Sequence, residues 1–260
     1  MKSVVSRDNA AFKAMLKLVS SAGERRKSGL SVIDGPHLLA ALLDSGHQPE
    51  ELMVSAAGLV DPEVARLVER SSPARVTQLS DALFKDISTV ESPTGVIASV
   101  RTPPSRPAPA DAKLVLLLDD IQDPGNVGTL LRSAAAAGAG HVLLSAGCAF
   151  AWSPKVLRSA MGAHFIVNVV ERADLAAYVT AFKGASIALV GDGDRSIYEI
   201  DLCTPVAILV GNEGAGLSPG LRAAASIRAR IPMASKIESL NAAAAGTIAL
   251  FEASRQRLVR

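Results

Sequence analysis

The side chains best suited to chemistry fall in three stretches of the second half of the chain. In the first, Leu118-Asp119-Asp120-Ile121-Gln122-Asp123-Pro124-Gly125-Asn126-Val127-Gly128-Thr129-Leu130-Leu131-Arg132, an apolar run gives way to a polar turn and then to a helical pattern. Asn126 offers an amide and Arg132 a permanent cation. The second, Leu209-Val210-Gly211-Asn212-Glu213-Gly214-Ala215-Gly216-Leu217-Ser218, sets the carboxylate of Glu213 among glycines that let backbone approach a ligand closely. The third, Ile231-Pro232-Met233-Ala234-Ser235-Lys236-Ile237-Glu238-Ser239-Leu240-Asn241, leads into an alanine-rich helix. Its two hydrogen-bonding side chains, Ser239 and Asn241, stand beside unpaired helix N–H groups, a place to hold a substrate oxygen.

Each stretch also has a plainer reading. Asn126 suits a helix N-cap, Arg132 a solvated helical cation, and Ser239 or Asn241 a cap for the last helix. The glycine-rich stretch is not a phosphate loop, because the Lys-Ser/Thr ending is missing, and its glycine spacing does not fit a dinucleotide-binding fingerprint. A phosphate-free nucleotide derivative suits it better. The four histidines, His37, His47, His141 and His164, show no spacing with cysteine or carboxylates that would make a zinc or iron site, so no metal is expected.

These stretches need a scaffold, and the alternation of patterns supplies one. Lys113 to Leu118, His141 to Ser145, His164 to Val170, Ser186 to Val190 and Val206 to Val210 read as buried strands of an open parallel sheet. Helices are predicted after Asn126, from Ser153-Pro154, over Asp174 to Phe182 and over Ser239 to Gln256. An open α/β sheet binds ligands beyond the carboxyl ends of its strands, where the polar stretches lie. Upstream, the prolines within Thr102 to Pro109 mark a stiff connector. Before it, short apolar runs (Leu30 to Ile33, Leu52 to Val54, Val96 to Val100) alternate with helical patterns (Ala10 to Ala22, Pro36 to Leu43, Pro62 to Glu69, Asp81 to Ile87), a smaller α/β domain. The expected division is residues 1–101, a linker at 102–110, and 111–260.

Composition fits a folded cytoplasmic protein: 49% of residues are hydrophobic and 20% charged. Apolar runs stop far short of the ~20 residues of a membrane span, and the N-terminus turns polar too early for a secretory signal. Cys148 and Cys203 read as reduced structural residues. The formal net charge of +2 does not itself argue for nucleic acid. Near the N-terminus, however, Lys2, Arg7, Lys13, Lys17, Arg25, Arg26 and Lys27 face only Asp8 and Glu24, and the Arg25-Arg26-Lys27 run would suit phosphates.

In this order the three stretches closely resemble the motifs of the SpoU, or TrmH-type, RNA 2'-O-methyltransferases of the knotted SPOUT class. Asn-x-Gly-x-x-x-Arg, Gly-Asn-Glu-Gly-x-Gly and Ile-Pro-Met followed by Ser-Leu-Asn are jointly hard to obtain by chance. Before the connector, Val32-Ile33-Asp34-Gly35-Pro36-His37-Leu38-Leu39, and Ile87-Ser88 through Ser92-Pro93-Thr94-Gly95-Val96, look like that family's L30e-like substrate-binding domain. The resemblance implies S-adenosylmethionine as methyl donor, a deep trefoil knot in the C-terminal sheet and a homodimer. It implies catalytic or substrate-positioning roles for Asn126, Arg132, Glu213, Ser239 and Asn241. It also implies a cofactor pocket at Leu209, Gly211, Ile231 and Leu240, while the charge of Arg25, Arg26 and Lys27 makes them the candidates for RNA contact. Ribosomal RNA is the favoured substrate. A transfer RNA enzyme, a noncatalytic assembly factor on the same fold, and a regulator or dehydrogenase on a Rossmann-like sheet are the alternatives.

Overall fold

A computed structural model describes residues 2–72, 74–234 and 239–259. The chain forms two compact units, one of residues 1–104 together with 152–165, the other of residues 105–151 and 166–260. The boundary between residues 104 and 105 falls within the proline-rich stretch.

In the first unit the elements are β1 (Lys2–Val4), α1 (Ala10–Ser20), α2 (Ala22–Ser28), β2 (Leu30–Asp34), α3 (Pro36–Asp44), β3 (Glu51–Ser55), α4 (Ala56–Val60), α5 (Pro62–Arg70), β4 (Arg75–Leu79), α6 (Asp81–Ile87) and β5 (Val96–Arg101). The sheet runs β1-β4-β3-β5-β2, parallel from β1 to β3 and antiparallel at β5. Phe12, Met15, Met53, Leu79, Phe84 and Ile97 fill its core. The helix expected over Ala10 to Ala22 is two. Ser21 is extended (φ -123, ψ 115), and its hydroxyl accepts the Glu24 N–H to start α2, which carries the basic run. Both stretches that resemble a substrate-binding domain meet here: Asp34 Oδ2 accepts bonds from Ser88 Oγ and from the Thr89 N–H and hydroxyl.

The second half of the chain continues with β6 (Leu114–Asp119), α7 (Pro124–Ala136), β7 (His141–Leu144), α8 (Pro154–Ala160), which belongs to the first unit, and β8 (Asn168–Val170). It ends with α9 (Leu175–Ala181), β9 (Ala185–Leu189), β10 (Arg195–Ser196), β11 (Val206–Gly211), α10 (Pro219–Ala224), β12 (Ile227–Arg230) and α11 (Ala242–Leu258). All the strands pair in parallel, in the order β10-β12-β9-β11-β6-β7-β8. Every residue of the central strand β6 is buried, which is why it reads as an unbroken apolar run.

Two further expectations shift. The strand expected over His164 to Val170 is a 3-10 turn at Ala163–Phe165 and then the short β8. Met161 (φ 52) and Gly162 (φ 88) turn the chain there, and His164 is buried against Trp152, ring centroids 4.8 Å apart. The helix expected after Asn126 begins earlier, with Pro124 at its first position and Asp123 as N-cap. Strands β1, β4, β10 and β12 were not legible; β12, for example, interrupts its apolar pattern with Arg228 and Arg230.

From β11 the chain passes outward to β12 and then returns to the middle, where α11 packs on α7 and β11. That is the order of elements a trefoil needs. Residues 235–238 of the third polar stretch lie outside the described residues.

Candidate active site

The three polar stretches converge at the carboxyl ends of β6 and β11. Asp123 accepts the Asn126 N–H at 2.8 Å, so Asn126 sits inside the first turn of α7 with its side chain released from capping. That side chain donates from Nδ2 to Glu213 Oε1 at 2.6 Å. Asn241 donates from Nδ2 to Asn126 Oδ1 at 3.0 Å, while its own Oδ1 accepts the N–H groups of Ala243 and Ala244 at the start of α11. A polarised chain of hydrogen bonds therefore runs from the N-terminus of α11 through two amides to a carboxylate. Of the two candidate caps for α11, Asn241 is the one used.

Beside this chain lies a cavity of about 430 Å³. Its walls come from the ends of β9, β11 and β12, and from the segment before α11. Glu213, Gly211, Ile231, Ser239 and Leu240 all line it. Asp192, Asn212, Glu213, Arg222 and Ser239 are its polar side chains, and Leu189, Val190, Val210, Leu217 and Met233 its apolar ones. Gly211 is required where it stands, because a Cβ there would come within 2.3 Å of the Gly216 carbonyl carbon and the Leu217 nitrogen. Asp192 and Arg222 face each other across the lining at 2.5 Å. The hydrogen-bonded Arg222 guanidinium holds the Asp192 carboxyl below the usual carboxylate range.

Not every expected residue joins the site. Leu209 is fully buried in the sheet core with Val115, Leu117 and Ala207, and the cavity lining on β11 starts one residue later, at Val210. Arg132 is exposed on α7 and does not line the cavity. Glu213 is directed to Asn126 rather than to Arg132. In the first unit Arg25 turns inward: it is 6% exposed, and its guanidinium donates to the Leu18 and Val19 carbonyls at the end of α1. Burial, with Arg26 adjacent, pushes its pKa down. Arg25 therefore seals a helix end, and the surface part of the basic run is Arg26 and Lys27.

The sequence reading also missed residues. Leu189-Val190-Gly191-Asp192, at the end of β9, forms one wall of the cavity. The signal was available, since ligands collect at the carboxyl ends of parallel strands. Among the described residues no cluster of histidine, cysteine and carboxylates could hold a metal ion, and no helix is long and apolar enough to cross a membrane.

Comparison with known proteins agrees with this geometry. The SpoU rRNA Methylase family profile matches residues 113–251, and that of the MRM3-like substrate binding domain matches residues 9–98. The chain is 33% identical to a Bacillus subtilis 23S rRNA (guanosine(2553)-2'-O)-methyltransferase, RlmP, covering 96% of this chain and 98% of that protein. It is 30% identical to a Streptomyces viridochromogenes 23S rRNA (uridine(2479)-2'-O)-methyltransferase, over 96% of this chain and 91% of that protein. The crystal structure of the SpoU methyltransferase AviRb from the same Streptomyces, in complex with AdoMet, superposes with a TM-score of 0.84 at 28% identity, covering 96% of this chain and 98% of that one.

Proposed function

The chain belongs to the SpoU rRNA methylase family, and from that premise we propose that it transfers a methyl group from S-adenosylmethionine to a ribose 2'-hydroxyl of ribosomal RNA. The observation that carries the reading is the Asn241–Asn126–Glu213 hydrogen-bond chain beside a cavity lined by glycines, apolar side chains and a few polar ones. Such walls suit an adenosine and a sulfonium, neither of which needs an anion-binding loop. Gly211, Ile231 and Leu240 would hold the cofactor. Bound there, S-adenosylmethionine supplies an electrophilic methyl group.

The chain's own residues do the rest. A 2'-hydroxyl must be aligned with the methyl group and relieved of its proton. Ser239, on the cavity wall, and Asn241, fixed to the start of α11, orient the ribose. Arg132 binds the neighbouring phosphate and stabilises the developing alkoxide. A guanidinium holds its proton too tightly to serve as a base, so the hydroxyl proton leaves through water or phosphate rather than through Arg132. Glu213 holds the Asn126 amide in place.

Two relatives at similar identity act on different bases, a guanosine and a uridine, so the target nucleotide does not follow from likeness. We assign RNA capture to the first unit, with Arg26 and Lys27 on its surface, and the working enzyme to the cytoplasm as a homodimer. Sedimentation should give twice the mass of one chain. The deciding experiment incubates the full chain with labelled S-adenosylmethionine and a mixture of unmodified 23S ribosomal RNA and transfer RNA, then maps ribose methylation. Label in a single 2'-O-methyl nucleotide is the expected result; label in transfer RNA alone, or none, would overturn the proposal.

A further inference from the structure

Asp120 is a non-glycine residue in the left-handed region, at φ 57°. L side chains are strained there, and such residues persist only where their surroundings over-determine them, often at functional sites. The surroundings are specific. The Asp120 N–H donates to Ser145 Oγ at 2.9 Å, and its carbonyl accepts Asn212 Nδ2 at 2.8 Å. Asn212 in turn gathers the glycine-rich loop around itself. Its Oδ1 accepts the N–H groups of Gly214 and Ala215, each at 2.9 Å, and its backbone exchanges two bonds with Gly216 at 3.0 and 2.9 Å. Where the loop ends, the Ser218 N–H donates to Asp119 Oδ2 at 2.8 Å, and Asp119 is only 9% exposed.

The loop that carries Glu213 is thus closed on Asn212 and pinned at two points to the end of β6. Asp119 and Gly211 close the β6–β11 ladder, so the Asp120–Asn212 bond extends the strand pairing by one side-chain step. Glu213 leaves the backbone between Asn212 and Gly214, and it must meet Asn126, which lies a short turn beyond Asp120. Without the link, the loop would keep its Ser218–Asp119 pin but lose the one adjacent to Glu213.

We infer that Asp120 and Asn212 are positioning residues for methyl transfer: the left-handed Asp120 turn presents its carbonyl to Asn212, and this link places Glu213 against Asn126. The inference rests on the function proposed above. Its test uses the full chain, in-vitro-transcribed 23S ribosomal RNA and labelled S-adenosylmethionine, with Tm measured alongside and S-adenosylhomocysteine binding followed by calorimetry. Asn212→Asp keeps the acceptor for the loop N–H groups but turns an oxygen toward the Asp120 carbonyl. It should lower kcat about tenfold or more, the scale on which misplaced catalytic groups act, with Tm and the KM for RNA near the parent's and with weakened S-adenosylhomocysteine binding. Asp120→Gly adopts the left-handed turn freely and Asp120→Val does not, so the glycine variant should retain turnover that the valine variant loses.

Parental kcat in Asn212→Asp, or equal turnover in Asp120→Gly and Asp120→Val, overturns the inference. Should Asn212→Asp fail to fold, the Asp120 pair decides alone. A parent chain that neither binds S-adenosylhomocysteine nor methylates the RNA defeats the functional reading itself, whereas an active parent with indifferent variants defeats only the positioning link.

Discussion

Arg132 stands exposed on α7 and its side chain, among the described residues, makes no hydrogen bond or ion pair, while Asn126 on the same helix is engaged on both atoms of its amide. An uncommitted guanidinium keeps its donors for a ligand, and its planar fork matches a phosphate in a way an ammonium cannot. Arg132→Ala should therefore reduce kcat about 100- to 1000-fold, the usual cost of removing one group that stabilises developing charge. S-adenosylhomocysteine affinity should stay near the parent's, since Arg132 does not line the cavity. Single-turnover methylation and calorimetry read the two effects separately; a near-parental rate would remove Arg132 from the chemistry. Arg132→Lys, which keeps charge but not the fork, should fall between. At this scale residue types were legible and partners were not. Asn126 reads as a cap, yet Asp123 with Pro124 at the first helical position takes that role and leaves the Asn126 amide to bridge Glu213 and Asn241. Nothing local marks such a bridge, because its partners lie 87 and 115 residues away.

The elements behind the site depend on two helices packing closely. A Cβ on Gly246 of α11 would come within 2.4 Å of Leu130 Cδ2 on α7 and 3.1 Å of Val210 Cγ2 on β11. Replacing a helical glycine by alanine gains about 1 kcal/mol of helix propensity, but overpacking a filled core costs about 1–3 kcal/mol. For Gly246→Val the penalty wins, because the branched side chain adds bulk without alanine's propensity. Thermal unfolding should show Tm lowered by several degrees, whereas Gly246→Ala should lie close to the parent because its single methyl meets the movable end of Leu130. A valine variant as stable as the parent would mean that the helices can separate freely. Long apolar strands such as β6 and β11 were legible because both faces are buried. Strand β12 was not, because Arg228 lies on the solvent side, paired with Asp194, while Ala229 alone is fully buried. The 3-10 turn at Ala163–Phe165 was missed because Ala163 and His164 are buried without being extended.

For the whole molecule, a formal charge of +2 spread over 260 residues leaves RNA capture to local surfaces. The Arg25-Arg26-Lys27 run reads in sequence as one patch, but its members divide by burial. Arg25 is turned onto the Leu18 and Val19 carbonyls, and Arg26 and Lys27 face solvent. Helical spacing explains the division, since neighbouring residues on α2 point to different sides. Every cation that neutralises an RNA phosphate releases counterions, and its removal flattens the slope of log K against log salt by about 0.7 to 0.9. Neutralising both exposed residues as Arg26→Gln with Lys27→Gln should therefore flatten the slope of RNA binding by about 1.4 to 1.8 if both meet phosphate. Affinity should fall most at low salt, and kcat at saturating RNA should hold. Arg25→Gln should behave in the opposite way. It leaves the carbonyls at the end of α1 with a weaker donor and lowers Tm, with the salt slope unchanged. Binding titrations across a salt series, run beside thermal melts of the same variants, separate the two outcomes. A double variant with the parent's slope would make Arg26 and Lys27 a solvated helix face and move RNA capture to another surface.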